Sequence, residues 1–191
     1  MSRNTKIILV VLGTIVCSCA LFCAAAFLFL PQWAQSFAGQ AQDPANIRRI
    51  ASEIAEFTLP PGYKEAFGFD FFGTKMVTFS PPNDRGIMLM FIQMPAASAS
   101  REQMEQQLRQ QTGSQSSSSC SDYVKVGEET IAIKGTPTTL TISECVSTGG
   151  IRLRQEIGVF QGKSGVAMVM AVGAVNEWNA ATLRRFLESI R

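Results

Sequence analysis

The chain has 191 residues, the length of one domain with an added segment, and its formal net charge is +2. Of its 17 basic residues, Arg3 and Lys6 precede the first apolar run, which leaves 15 basic residues against 15 acidic ones in the remainder. A neutral globular part lacks the positive surface that nucleic-acid binding requires, so we expect no nucleic-acid partner.

The first element is an uninterrupted apolar run from residue 7 to residue 30. As a helix it would be about 36 Å long, enough to cross a hydrocarbon core of about 30 Å. The sequence therefore predicts a transmembrane helix, with the lipid bilayer as one partner. Basic residues precede the run and none follows it until Arg48. This asymmetry predicts that residues 1–6 are cytoplasmic and that everything after the helix is extracytoplasmic.

Two other interpretations of this segment stay open. It could be a cleaved signal peptide, with a site such as Ala34-Gln35-Ser36, although secretory apolar cores are only about 7–15 residues long. It could also belong to a lipoprotein, because Val16-Cys17-Ser18-Cys19 faintly resembles a lipobox with Cys19 as the lipidated residue.

Small residues within the run lie three and four positions apart, a spacing at which two helices can approach closely. Ordinary composition of lipid-embedded helices is the simpler explanation, and weak homo-oligomerisation through the helix is the alternative. The residues are Gly13, Cys17, Ala20 and Ala24.

Residues 31–43 are predicted to be a stalk, and residues 44–191 one extracytoplasmic domain. Asp43-Pro44 is typical of a helix start, with the aspartate as cap and proline at the first helical position. Apolar residues then recur at helical spacing until the prolines at residues 60 and 61. These apolar residues are Ile47, Ile50, Ile54 and Phe57.

Strands are predicted at residues 63–72, 75–80 and 87–94, and the last two form a hairpin across the turn at residues 81–86. The continuous apolar run at residues 87–94 is typical of a central strand buried on both faces. Ser100 and Gln103 fit a capping box, which begins a surface helix with a thin apolar stripe. A Ser-rich loop at residues 112–119 follows.

A second β region is predicted at residues 123–126, 130–133, 138–146, 151–159 and 166–172, with Gly127 as one of its interruptions. The strand at residues 151–159 alternates, and Arg152, Arg154 and Glu156 are predicted to form its wet face. A closing amphipathic helix begins near Asn176. This order of elements predicts an α+β fold, a mostly antiparallel sheet packed with helices.

The opening Phe57-Thr58-Leu59-Pro60-Pro61-Gly62-Tyr63 and the ending Phe186-Leu187-Glu188-Ser189-Ile190 flank the predicted strands. This pattern resembles the PsbP-like family of small α/β/α sandwich domains, which includes the DcrB-like extracytoplasmic bacterial proteins. The resemblance covers roughly residues 47–191 and carries no catalytic residues. It implies a sheet covered by helices, in a protein with a binding, assembly or accessory role.

Cys120 and Cys145 are the only cysteines of the predicted outer domain. In an oxidising compartment such a pair most simply forms a disulfide, which would contribute about 3 kcal/mol in the chain-entropy account. Two free buried thiols are the alternative.

The sequence contains no histidine. This excludes Ser–His and Cys–His catalysis and the usual zinc sites. Gly162-Lys163-Ser164 superficially resembles a phosphate loop, but it lacks the required earlier glycine and joins two predicted strands, which favours a hairpin turn. We identify no catalytic, cofactor-binding or metal-binding residue and expect a protein that is not an enzyme.

Four phenylalanines crowd around Asp70: alternation sends Phe67, Phe69 and Phe71 to one face of a strand and Phe72 to the other. Core packing is the first interpretation. The second is an exposed aromatic surface that contacts a partner or the bilayer. We therefore expect a membrane-anchored, non-catalytic domain with a protein-binding or assembly role. The alternative is a small-ligand-binding or enzymatic domain, which would have a pocket of convergent polar groups.

Overall fold

A computed structural model of the chain describes residues 39–97, 100–111 and 120–191. The predicted cytoplasmic residues 1–6, the predicted transmembrane helix at residues 7–30, most of the stalk and the Ser-rich loop lie outside these ranges. Within them, no helix combines the length and the apolar character that crossing a bilayer requires.

In the described residues, seven strands form a single sheet in which each pair of neighbours is antiparallel. They are β1 (Lys64–Phe71), β2 (Thr74–Ser80), β3 (Ile87–Gln93), β4 (Cys120–Ile133), β5 (Thr136–Ser147), β6 (Arg152–Gln161) and β7 (Val166–Ala174). Their order across the sheet is β1-β2-β3-β7-β6-β5-β4. The predicted α+β class with a mostly antiparallel sheet is confirmed.

The last strand, β7, joins two groups of three strands. β1, β2 and β3 are neighbours in sequence order, and so are β4, β5 and β6. β7 pairs with β3 over Ile87↔Gly173 to Gln93↔Ala167, and with β6 on its other side. Without β7 the two groups would not share a hydrogen bond of the sheet.

Besides the helical residues 39–42, the described part of the chain has three α-helices, α1 (Pro44–Ile54), α2 (Arg101–Gln111) and α3 (Ala180–Glu188). The Asp43 carboxylate accepts a hydrogen bond from the Ala45 N–H, which satisfies one of the open donors at the start of α1. The capping box is also present, because the Ser100 N–H donates to Gln103 Oε1 at 3.0 Å and the Gln103 N–H to Ser100 Oγ at 3.2 Å.

Helices α1 and α3 pack on the same side of the sheet, which we call the covered face. Its core contains Ile47, Ile50 and Ile54 from α1 and Leu183, Phe186 and Leu187 from α3. Beneath them one row of paired strand residues runs across the sheet, Val77, Phe91, Val169, Gly158 and Leu140. Nearly all of the fully buried apolar side chains described belong to this face.

Several predicted boundaries are wrong: the closing helix, for example, begins at Ala180 after its cap Asn179 and not near Asn176. Helix α1 ends at Ile54, because Ala55 is already extended, and Phe57 reaches the core from the extended chain that follows, stacking on Phe91 at 4.8 Å between ring centroids. Gly127 does not interrupt the β region, because β4 continues through it with an irregularity in register between Lys125 and Gly127. A β-bulge of this kind absorbs the disruption without ending the strand.

The prediction that the strand at residues 87–94 is buried on both faces is wrong. In β3, Ile87, Leu89 and Phe91 are buried, whereas Met88 between them is 43% exposed. The run is apolar on both sides, but α1 and α3 lie over only one of them.

Candidate functional site

The side of the sheet opposite α1 and α3 carries a continuous apolar surface, which we call the methionine face. Two rows of directly paired residues cross its centre, and neither row contains a charged side chain. One row is Phe67, Thr78, Met90, Met170 and Ile157, and the other is Phe69, Met76, Ile92, Met168 and Val159.

Methionine is confined to this side of the domain. The sequence has eight methionines, and the seven after Met1 lie on the methionine face or pack against it. Four of them sit in the two rows, and Met88 is on the same face by alternation along β3. The remaining two, Met94 and Met104, pack with Val159, Val166 and Met168.

Helix α2 occupies one part of the methionine face. Met104 of α2 is buried, and with Leu108 it packs against Val159, Val166 and Met168. The predicted thin apolar stripe of this helix is therefore the side that contacts the sheet. Among the helices described, α1 and α3 pack on the other face, so α2 is the only one that lies here.

The part of the face near β1, away from α2, is open. Met88 is 43% exposed and Phe71 is 49% exposed, while Met76, Met90 and Met170 are half-buried. An apolar area that water reaches, in a domain that buries its other face fully, is a typical feature of interaction surfaces.

The four predicted phenylalanines lie at one edge of this surface. As alternation predicted, Phe67, Phe69 and Phe71 share a face, and their register partners Thr78, Met76 and Thr74 place them on the methionine face. None of them belongs to the core of the covered face. The predicted position of Phe72 is wrong, because it lies in the β1–β2 turn, where it is 89% exposed.

The backbone of this turn favours residues other than phenylalanine. Phe72 has a φ of 49° and Gly73 a φ of 78°, and a bulky side chain rarely adopts the left-handed region. The Phe72 ring packs only on its neighbour Phe71 among the ring pairs of the described residues, at 4.4 Å between centroids. The turn thus holds an aromatic ring in solvent at a conformational cost.

At the other end of the methionine face the surface becomes polar. The Tyr123 hydroxyl donates to Gln155 Oε1 at 2.8 Å, and Gln155 Nε2 donates to the sulfur of Met170 at 3.1 Å. These contacts fix the Met170 side chain at the border between the apolar and the polar part.

The structure brings the sulfur atoms of Cys120 and Cys145 within bonding distance, with their Cα atoms 5.8 Å apart. The link connects Cys120, the first residue of β4, to β5. It therefore holds β4 in place where the chain enters the sheet.

Gly162-Lys163-Ser164 lies in the turn between β6 and β7, as the hairpin interpretation predicts. The Lys163 N–H donates to the Ile54 carbonyl at 2.9 Å, and its ammonium donates to Glu56 at 2.8 Å. This contact lowers the pKa of Glu56. The lysine connects the turn to the end of α1. The described residues contain no group of three or more potential metal ligands.

A groove of about 450 Å³ runs beside α1 on the covered face. Its charged side chains already have partners: Arg48 donates to Glu65 at 2.5 Å, and Glu56 accepts from Lys163. The hydrogen bond from Arg48 lowers the pKa of Glu65, which keeps this carboxylate ionised and paired. The groove therefore offers a ligand little polar chemistry beyond these pairs.

No protein-family model and no curated protein matches the chain. Among solved structures, the chain is similar to LpqN, which is involved in cell envelope biogenesis of Mycobacterium tuberculosis, with a TM-score of 0.37 and 8% sequence identity. The match covers 64% of this chain and 72% of LpqN. A likeness this weak transfers no function, so the fold defines the class of the domain only as α+β with one antiparallel sheet.

Proposed function

We propose that this protein is a membrane-anchored, extracytoplasmic and non-catalytic binding domain, and that its methionine face holds an amphipathic helix of a partner protein. The observation that carries the proposal is the uncharged, half-open surface centred on Met90 and Met170. Phe67, Phe69 and Phe71 extend it to the edge of the sheet.

Helix α2 supports the choice of a helical partner. It is polar on most of its surface and contacts the sheet through Met104 and Leu108, which lie four residues apart. The two rows next to α2 present the same kinds of apolar side chain as the part of the sheet that α2 covers. Met168 belongs both to one of these rows and to the contact with α2. A second helix with apolar residues at this spacing would lie beside α2 and cover Met76, Met90 and Met170.

The chemistry of methionine suits this role. Its side chain is unbranched and polarizable, so it adapts to apolar partners of differing shape. The absence of charge from the two central rows means that a docking apolar side chain would not have to desolvate an ion there. An aromatic ring at the rim, such as Phe71, adds a rigid contact.

The sequence and the two cysteines support the proposed location. The apolar run at residues 7–30 and the basic residues before it support a membrane anchor with the domain outside the cytoplasm. The approach of Cys120 to Cys145 fits an oxidising compartment. Helices on both sides of the sheet fit the layer order of the PsbP-like sandwich, and this resemblance supports an accessory role.

Site-specific crosslinking in intact membranes tests the proposal. A photoreactive amino acid replaces Met90 in the full-length protein, and a matched variant carries it at Ser52, an exposed position on α1. We expect Met90 to crosslink to one protein, at an amphipathic helix identified by mass spectrometry, and Ser52 not to. Crosslinks from Met90 to lipid, or to a second copy of this chain, would show that lipid or the second copy, and not a partner protein, occupies the methionine face.

A further inference from the structure

A cavity of about 290 Å³ opens on the covered face between α3 and the strands β4, β5 and β6. Its walls are mainly apolar, and Ala180 and Ala181 at the first turn of α3 leave its entrance open. The apolar wall residues are Ile131, Leu140, Leu183 and Leu187.

The cavity contains a buried carboxylate that the sequence pattern placed in water. The predicted wet face of β6 is wrong at Glu156, which is only 7% exposed because α3 covers this end of the sheet. Among the described residues, none donates a hydrogen bond to its carboxylate, whose oxygens are not sealed in the core like the unpartnered Gln93 Oε1 and Trp178 Nε1 but face the space of the cavity. Burial raises the pKa of Glu156, and the charge of Glu129 adds to this effect.

The nearby cations are engaged elsewhere. On α3, Arg184 forms an ion pair with Glu129 at the side of the cavity. On β6, Arg154 donates twice to Glu144, at 3.0 Å and 2.7 Å. Both arginines lower the pKa of Glu156 at a distance, but neither lies within salt-bridge distance of it. Glu156 is therefore the carboxylate of the cavity wall that no cation contacts.

We propose that this cavity binds a small organic ammonium ion, with its ammonium group hydrogen-bonded to Glu156 and its hydrocarbon part against Leu140, Leu183 and Leu187. Glu156 lacks a contacting positive charge and hydrogen-bond donors, and an ammonium group supplies both. Burial of an alkyl or aryl group against the apolar walls is favourable, because it removes apolar surface from water. The site lies on the opposite face from the methionine face, so it neither requires nor excludes a bound partner helix.

Titration calorimetry on the full-length protein in a non-ionic detergent tests the site at about pH 8, where alkylammonium ions stay protonated and carboxylates are largely ionised. The probes are n-butylammonium, the neutral n-butanol and the anionic butanoate. We expect saturable binding of n-butylammonium, at least tenfold weaker binding of n-butanol, and no binding of butanoate.

Three variants locate the binding. Glu156→Gln is expected to weaken n-butylammonium binding at least tenfold, and so is Ala181→Phe, which blocks the entrance from an exposed position that requires no repacking. Glu65→Gln is the matched control: Glu65 lies in the same cross-strand row as Glu156, through Phe79, Leu89 and Ala171, but lines the groove beside α1.

The expected result is full binding by Glu65→Gln. No saturable binding of n-butylammonium to the unmodified protein overturns the proposal. So does an affinity that Glu156→Gln leaves unchanged, or one that only Glu65→Gln reduces, because the ion would then occupy the other groove.

Discussion

Met90 and Met170 lie directly opposite each other on β3 and β7, at the centre of the methionine face. Their chain neighbours Phe91 and Val169 form the equivalent pair on the covered face, where both are buried. The two faces of the same pair of strands therefore differ in exposure while both are apolar. This difference separates residues that hold the fold together from residues available to a partner.

The first prediction compares these two faces by alanine substitution. Phe91→Ala should destabilise the protein by about 3–5 kcal/mol, since Phe91 is fully buried and contacts Phe57, Phe160 and Phe186. Met90→Ala should cost only about 1 kcal/mol, because its side chain is already partly in water. Thermal unfolding of the full-length protein in detergent measures both. Equal costs would mean that the methionine face is part of the core.

A second prediction concerns two glycines with different surroundings. A Cβ at Gly165 would lie 2.1 Å from the Met94 carbonyl oxygen and 3.0 Å from the Ala96 nitrogen, so backbone would have to move. Gly165→Ala should therefore destabilise the protein by at least about 1–3 kcal/mol. At Gly127 no atom lies within 4 Å of the added carbon, and Gly127→Ala should stabilise β4 by about 0.4–1 kcal/mol through the unfolded chain. Comparable destabilisation of both variants would contradict the close approach of Met94.

The third prediction tests the disulfide. Reduction should lower the free energy of unfolding by about 3 kcal/mol, because the link closes a long loop in the unfolded chain. The double variant Cys120→Ser/Cys145→Ser should show the same loss and no further response to reductant. Unfolding curves with and without reductant measure the effect. A reductant-sensitive double variant would show that the sensitivity arises outside this pair.

The fourth prediction is a dependence of stability on pH that Glu156 causes. Its pKa is raised above the ordinary value of 4.5 in the folded protein. As the pH rises, this carboxyl group therefore ionises in the unfolded chain before it ionises in the folded protein. The free energy of unfolding falls as the pH rises from the pKa of the unfolded chain through that of the folded state. Glu156→Gln lacks this loss, so its stability advantage over the unmodified protein should grow between acidic and neutral pH. An advantage that does not change with pH would contradict a raised pKa.

Glu53 provides a control of opposite sign. The hydrogen bond from Lys75 is the largest cause that lowers its pKa, and Arg49 adds to it. Its contribution to stability is present at neutral pH and is lost as the pH falls through its folded-state pKa. Glu53→Gln should thus be less stable than the unmodified protein at neutral pH, with the difference vanishing in acid. Unfolding temperatures across the pH series measure both variants together.

Local signals made much of the fold predictable. The cap at Asp43, the capping box at Ser100 and the alternation of the strands act over a few residues, so the sequence alone locates α1, α2 and most of the sheet. The pairing of Cys120 with Cys145 is predictable because they are the only cysteines after residue 30. Boundaries were less accurate where tertiary contacts override local pattern, as at Phe57.

The candidate sites depended on information that a strand pattern does not contain. Alternation groups Met88 with Met90, but it does not say which face of β3 the helices cover. It also placed Glu156 with Arg152 and Arg154 in solvent, whereas α3, which follows much later in the chain, covers that position. The one available signal for the methionine face was the recurrence of methionine at alternate positions in β3 and β7.

The position of β7 between β3 and β6 also sets the order in which the domain can be completed. Each group of three strands can form by pairing of segments that follow one another in the chain, β1–β2–β3 in one group and β4–β5–β6 in the other. Joining the two groups needs pairing between residues as distant in sequence as Ile87 and Gly173. Contacts of such sequence separation form late and slowly. Until residues 166–174 have emerged from the ribosome, β3 and β6 each have an unpaired edge, and such edges are prone to aggregation. A chaperone that shields these edges would act on the unfinished chain rather than on the completed domain.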